Sequence, residues 1–142
     1  MSWQEEYERK QISVSQVFED HLTGNQKIYT GGLHVPATII NELIARVGKG
    51  ELSGIDLYGN WMNGDITFAG LDVSPQQFRY HTYFAGPNER TGFASGSKCV
   101  AHIPVHFSDT NRMLEEIGLD YAVVQMTPPD AQGNCNIGPL GF

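Results

Sequence analysis

Apolar positions along the chain recur with two periods. From Pro36 onward, Ile39, Ile40, Leu43, Ile44 and Val47 fall at i, i+1, i+4, i+5 and i+8, the spacing of one helical face. Pro36 suits the first turn of that helix, where a missing N–H is no loss. Upstream, Ile12, Val14, Val17 and Phe18 with Ser13 or Ser15 as a cap predict a short helix from about Ser15 to Leu22. "TGNQ" is a turn, and "KIYTGG" reads as a strand ending in glycine.

Ser53 to Tyr58, "SGIDLY", predicts a second strand. Gly59 to Gln77 has no sustained period and reads as a long loop, a length that in a compact domain usually carries function. "FRYHTYFAG", Phe78 to Gly86, alternates aromatic with polar and fits strand or helix. "CVAHIPVHF" predicts a buried strand ending near Pro104. "SDTNRMLEEIG" predicts a helix capped by Ser108 or Asp109 and stopped by Gly118, and "DYAVVQM" a buried strand, apolar on both faces as parallel sheets require. Strand, helix, strand, helix, strand is an open α/β pattern.

Composition narrows the class. A chain of 142 residues fits one domain and can bury roughly 70% of the surface its unfolded form exposes. Hydrophobic residues at 40% and charged residues at 18% make it globular. Nine Lys+Arg, scattered singly against sixteen Asp+Glu, give a net charge of −7, which argues against nucleic acid or an anionic membrane as partner. The start "MSWQEEYERK" has no secretory apolar core and no run is long enough to span a bilayer, so the cytosol is the expected compartment. Cys99 and Cys135 have no C-x-x-C spacing and read as reduced, mostly buried thiols.

Ligands of open α/β sheets collect at the carboxyl ends of the strands. Three loops leave such ends, "TGGLHVP", "IPVHFSD" and "TPPDAQGNCNIGP", and should share one edge. Gly31 and Gly32 let bare N–H groups approach a ligand, fitting either an anion nest or oxyanion hole or a plain strand-to-helix turn. A metal site on His81, His102 and His106 is disfavoured because Pro104 interrupts the i, i+4 pair and no H-E-x-x-H occurs. No G-x-S-x-G elbow supports a serine nucleophile, and no G-x-G-x-x-G a dinucleotide.

Thr127-Pro128-Pro129-Asp130 followed by Gly133 and Gly138 is an elaborate loop where a plain turn would suffice. It resembles the (S/T)-P-x-D-x-x-G signature of the acetyl-CoA hydrolase and CoA-transferase family, especially its 4-hydroxybutyrate and butyrate:acetate CoA-transferase branch. The opening "WQEEYERKQISVSQVFEDHLTGNQKIYTG", with its W-x-x-x-Y helix, and "RTGFASGSKCVAHIPVHFSD" are similar to that family's segments in the same order.

The resemblance implies an α/β half with an open, mostly parallel sheet and flanking helices, related to sugar-phosphate isomerases. It implies CoA exchange between an acyl-CoA and a short-chain carboxylate such as acetate, butyrate or 4-hydroxybutyrate, with the CoA thioester as substrate and no permanently bound cofactor. The family's nucleophile is a glutamate in a glycine-flanked loop of the second half. Glu51 does not match that loop, so the nucleophile is expected outside this chain, which reads as the N-terminal domain of a longer or split enzyme, inactive alone. Gly31, Gly32, Leu33 and His34 are the expected contacts to the acyl oxygen or carboxylate, with Asn134, Asn136 and Gly138 on the neighbouring loop. The C-terminal half and a second copy in a homo-oligomer are the expected partners. A hydrolase, or a non-catalytic α/β module binding a small anion or a partner subunit, are the alternatives.

Overall fold

The computed structural model describes residues 2–31, 34–64, 66 and 71–138. Its centre is a five-stranded parallel sheet in the order β4-β3-β2-β1-β5, built from β1 (Gln26–Thr30), β2 (Ile55–Gly59), β3 (Phe78–Thr82), β4 (Val100–His102) and β5 (Tyr121–Val123). This is the open α/β sheet the sequence predicts.

Among the described residues, five α-helices and a 3₁₀ turn at Phe107–Asp109 accompany it. α1 (Trp3–Lys10) starts at a capping box in which Ser2 Oγ accepts from Glu5 N and Glu5 Oε2 from Ser2 N. α2 (Val14–Gln16) repeats the device with Ser13 and Gln16, then widens into a π-helical turn over Val17–His21, closed by Leu22 N to Val17 O at 2.8 Å. α3 (Ala37–Gly48) joins β1 to β2, α4 (Pro87–Ala94) joins β3 to β4, and α5 (Thr110–Ile117) joins β4 to β5.

Right-handed crossovers place these helices. Stepping from β1 through β4 moves one way along the sheet, so α3 and α4 share a face. α5 returns across it to β5 and lies on the other. The register separates the two faces in composition. Ile28, Leu57, Tyr80 and Val100 align on the first, and against them Ile40, Leu43 and Val47 of α3 are fully buried. Burial of this kind stabilises by about 1.5–3 kcal/mol per large aliphatic side chain. Phe18 and Leu22 close the same core.

On the second face Tyr29, Tyr58, His81 and Ala101 align. His81 Nε2 lies 2.7 Å from Asp56 Oδ1, and the Tyr58 ring stacks on the imidazole at 4.6 Å. Burial, followed by the Asp56 charge, pushes the Tyr58 phenol up. Lys27 ties the C-terminus of α5 to this face by donating its Nζ to Ile117 O at 2.9 Å.

Several local expectations change. "FRYHT" is a strand, its alternation set by Phe78, Tyr80 and Thr82 facing the core. α4 has no apolar stripe to betray it: the residues it buries are Glu89 and Gly92. Glu89 Oε1 instead accepts from Met62 N at 2.9 Å and from the Tyr80 hydroxyl at 3.0 Å, stapling the loop after β2 to the helix. β4 is three residues long and ends on an exposed His102. β5 is an edge strand, half-buried, with Val124 and Met126 beyond it exposed, because a neighbour covers one side alone. Cys99 is buried as expected, whereas Cys135 is exposed on the loop after β5. Among the described residues no helix is long and apolar enough to cross a membrane.

Candidate active site

Strand order reverses direction at β1. Its chain leaves to α3 on the packed face and to β2 on one side, while β5 joins from the other side. The loops after β1 and β5 therefore part at a topological switch point, the place where open α/β sheets hold ligands.

The two loops meet there. Gly31 is buried, and a Cβ on it would stand 3.3 Å from Val124 Cγ1, so its backbone lies against the chain leaving β5. His34 is exposed, with its Cδ2 4.0 Å from where a Gly138 Cβ would be. Val35, buried behind it, anchors the descent into α3. Gly32 and Leu33 lie outside the described residues. Glu51 sits before β2, at the opposite, amino edge of the sheet.

The loop from Thr127 to Gly138 is held by its own polar groups. Thr127 N donates to Asn136 O at 2.8 Å while Asn136 N donates to Thr127 Oγ1 at 3.0 Å, closing its neck. Asp130 Oδ1 accepts from Gln132 N and Asn134 N, both at 2.9 Å, and these backbone donors, Asn134 first, hold its carboxyl below the ordinary value. Gly138 N donates to Asn136 Oδ1. The backbone amides of Asn134, Asn136 and Gly138 are thus engaged inside the loop.

Beside the switch point, three strand ends and α5 enclose a cavity of about 480 Å³. Tyr29 comes from the end of β1, Asn60 and Tyr83 directly follow β2 and β3, and Thr110 opens α5. Burial, then a hydrogen bond and repulsion from Tyr29, push the Tyr83 phenol far above its ordinary value, so it stays protonated at any physiological pH. Asn60 and Thr110 are 5% and 7% exposed, and among the described residues neither Asn60 Oδ1 nor Thr110 Oγ1 has a hydrogen-bond partner. The sequence marks Asn60 as part of the long loop after β2. Tyr83 and Thr110 carry no local motif and join the site through the fold alone.

Next to Asn60 the backbone is unusual. Trp61 has φ +35°, uncommon for a bulky residue, and its indole stacks on Phe84 at 5.4 Å with both rings partly exposed. Trp61 N donates to Phe84 O at 2.9 Å, which fixes that conformation. His102 and His106 line a separate groove with Pro104, while His81 faces Asp56. Among the described residues no three of His, Cys, Asp and Glu gather as metal ligands.

Known proteins share this sheet. RipA from Yersinia pestis superposes with a TM-score of 0.77 at 20% identity over 97% of this chain and 34% of its own. In sequence, the chain is 29% identical over 111 residues to a succinyl-CoA:acetate/propanoyl-CoA:succinate CoA transferase of Fasciola hepatica, covering 77% of this chain and 22% of that protein. It is 22% identical to a 4-hydroxybutyrate coenzyme A transferase of Clostridium kluyveri, covering 97% and 32%, and 24% identical to a butyryl-CoA:acetate CoA-transferase of Anaerostipes caccae, covering 98% and 31%. The chain thus spans a third or less of the length of these relatives. The profile of the acetyl-CoA hydrolase/transferase N-terminal domain matches residues 1–140. With that match over almost its whole length, and with the parallel sheet and switch point in place, the chain belongs to the acetyl-CoA hydrolase/transferase N-terminal domain family.

Proposed function

We propose that this chain is the N-terminal domain of a CoA-transferase that moves CoA between an acyl-CoA and a short-chain carboxylate. The observation that carries the reading is the meeting of the β1 and β5 loops at the switch point of a chain matched by the family from residue 1 to residue 140. In this reading a glutamate carried outside the chain attacks the thioester carbonyl, and CoA leaves as a thiolate. The resulting acyl-glutamyl anhydride is attacked by that thiolate, releasing the free acid and leaving a glutamyl-CoA thioester. The second acid then runs the same steps in reverse.

A carboxylate is a weak nucleophile, so the site must stabilise the oxyanion each attack creates. Bare N–H groups from Gly31 to His34 are the proposed donors, since glycine lets the backbone approach the reacting oxygen. Asn134, Asn136 and Gly138 belong to the facing loop, whose internal hydrogen bonds hold its outline against the ligand.

The test is acyl-CoA/acetate exchange, assayed with this chain and with the product of the complete reading frame, followed by mass spectrometry of the trapped glutamyl-CoA. Exchange by the complete protein and none by the chain supports the reading. Exchange by residues 1–142 alone removes the external nucleophile, and thioester loss to water without exchange makes the protein a hydrolase. No turnover by the complete protein leaves a binding module.

A further inference from the structure

The loop that leaves β2 carries an Asn-Gly step, Asn63-Gly64, and the sequence has no other. Asn63 is exposed, and among the described residues neither its side-chain amide nor Gly64 N has a hydrogen-bond partner. Gly64 has φ +105°, and a Cβ built on it would meet nothing within 4 Å. The nitrogen that follows Asn63 therefore lies on an exposed residue, with no side chain to shield it and no acceptor to hold it.

These are the conditions under which a chain attacks its own asparagine. Gly64 N, losing its proton, adds to the side-chain carbonyl carbon of Asn63. The N–Cγ bond forms, the Cγ–Nδ2 bond breaks, and Nδ2 leaves as ammonia with that proton, so that a five-membered imide remains. Water then opens the ring at one of its two carbonyls. Cleavage of the new bond restores the peptide with an aspartate side chain. Cleavage of the original peptide bond sends the chain through Cβ and Cγ as isoaspartate. No electron is transferred, and water is the co-reactant.

The neighbours decide what this does to the fold. Asn88 Nδ2 donates to Met62 O at 2.8 Å and to Gly64 O at 3.1 Å, one carbonyl on each side of Asn63. Aspartate keeps their spacing and adds one negative charge. Isoaspartate inserts a further backbone atom, about 1.5 Å of chain. Hydrogen bonds of this kind tolerate a few tenths of an ångström, so both carbonyls can no longer reach Nδ2. Glu89 Oε1 still holds Met62 N at 2.9 Å, which makes Gly64 the end that comes free. We propose that Asn63-Gly64 is a self-modifying site, where loss of ammonia and capture of water turn the asparagine into isoaspartate and release the Gly64 end of the β2 loop from α4. This chemistry is independent of the transferase reading.

The experiment is incubation of the folded, ¹⁵N-labelled chain in mildly alkaline buffer. Peptide mapping by mass spectrometry, with electron-transfer fragmentation to separate aspartate from isoaspartate, follows the products, and NMR follows the Asn88 side-chain amide. Conversion at position 63 is expected at least about tenfold faster than at Asn111 or Asn134, exposed asparagines followed by Arg112 and Cys135, a difference of about 1.4 kcal/mol in barrier. Isoaspartate should predominate, and the Asn88 resonances should move in step with it. Freshly purified Asn63→Asp should leave those resonances in place. Asn63→Gln, whose longer amide closes its ring slowly, should keep both its mass and its Asn88 signals through the same incubation. Conversion no faster than at Asn111 and Asn134, conversion confined to the urea-unfolded chain, aspartate as the main product, or isoaspartate with unmoved Asn88 signals overturns the proposal.

Discussion

Trp61 and Gly86 compete for one space: a Cβ on Gly86 would stand 2.8 Å from Trp61 Nε1, inside contact distance. Gly86 has φ −81°, which any residue adopts, so the demand for glycine comes from the indole alone. Gly86→Ala should therefore destabilise through collision, by about 1–3 kcal/mol, and displace Trp61 from its stack on Phe84. Urea unfolding measures the first effect, and a red shift in tryptophan emission the second. Unchanged stability with unchanged emission would contradict the packing described.

Glu89 offers a second test. Its Oε1 serves two buried donors, Met62 N and the Tyr80 hydroxyl, and Asn88 Nδ2 donates to Met62 O at 2.8 Å alongside. Burial and the nearby Glu89 carboxyl push the Tyr80 phenol up, so it remains a donor across the working pH range. Glu89→Ala strands both donors and should cost about 2–5 kcal/mol, whereas Glu89→Gln, which keeps an acceptor oxygen, should cost less. Chemical denaturation of the three proteins ranks them.

Much of the sheet could be read from residues, and the reasons it stops are physical. α3 announced itself because Ile40, Leu43 and Val47 all face one core, giving an unbroken helical period. α4 was silent because what it buries is a carboxylate and a glycine, and periodicity sees apolar residues. β5 reads as buried from "DYAVVQM", yet burial depends on a neighbour that strand order denies it. At the site, the meeting of Gly31 with Val124 and of His34 with Gly138 was implied by loops sharing a carboxyl edge. The cavity was not, since Tyr29, Asn60, Tyr83 and Thr110 come from four separate segments and acquire meaning through register and crossover.

Asp130 predicts a pH response. Hydrogen bonds from Asn134 N and Gln132 N hold its carboxyl below the ordinary 3.8. A depressed carboxyl stabilises the folded loop above that ordinary value and loses the contribution as pH falls through the lowered one. Protection of the Gln132 and Asn134 amides, taken relative to their intrinsic exchange rates at each pH, should thus be flat from neutrality down to about pH 4 and fall in stronger acid. Asp130→Ala should show the reduced protection at every pH.

Gly31 separates fold from function. A methyl there would press on Val124 Cγ1 at 3.3 Å, a contact that a shift of a few tenths of an ångström relieves, so Gly31→Ala should alter stability by less than about 1 kcal/mol. If the bare backbone must approach a reacting oxygen, the same change in the complete protein should lower kcat for exchange by about tenfold or more, equivalent to about 1.4 kcal/mol. Equal loss of stability and activity would assign Gly31 to packing.

The indole of Trp3 lies over Gly133, where an added Cβ would come within 3.2 Å of the ring. α1 buries no residue of its own, and this contact across 130 positions ties the first helix to the loop whose Gly138 lies beside His34. On the ribosome, α1 precedes Gly133 by 130 residues, so its tryptophan waits until all five strands are synthesised before it finds a seat. A tag fused ahead of Trp3 is therefore placed beside this loop, and removing it before every measurement above is the sounder choice.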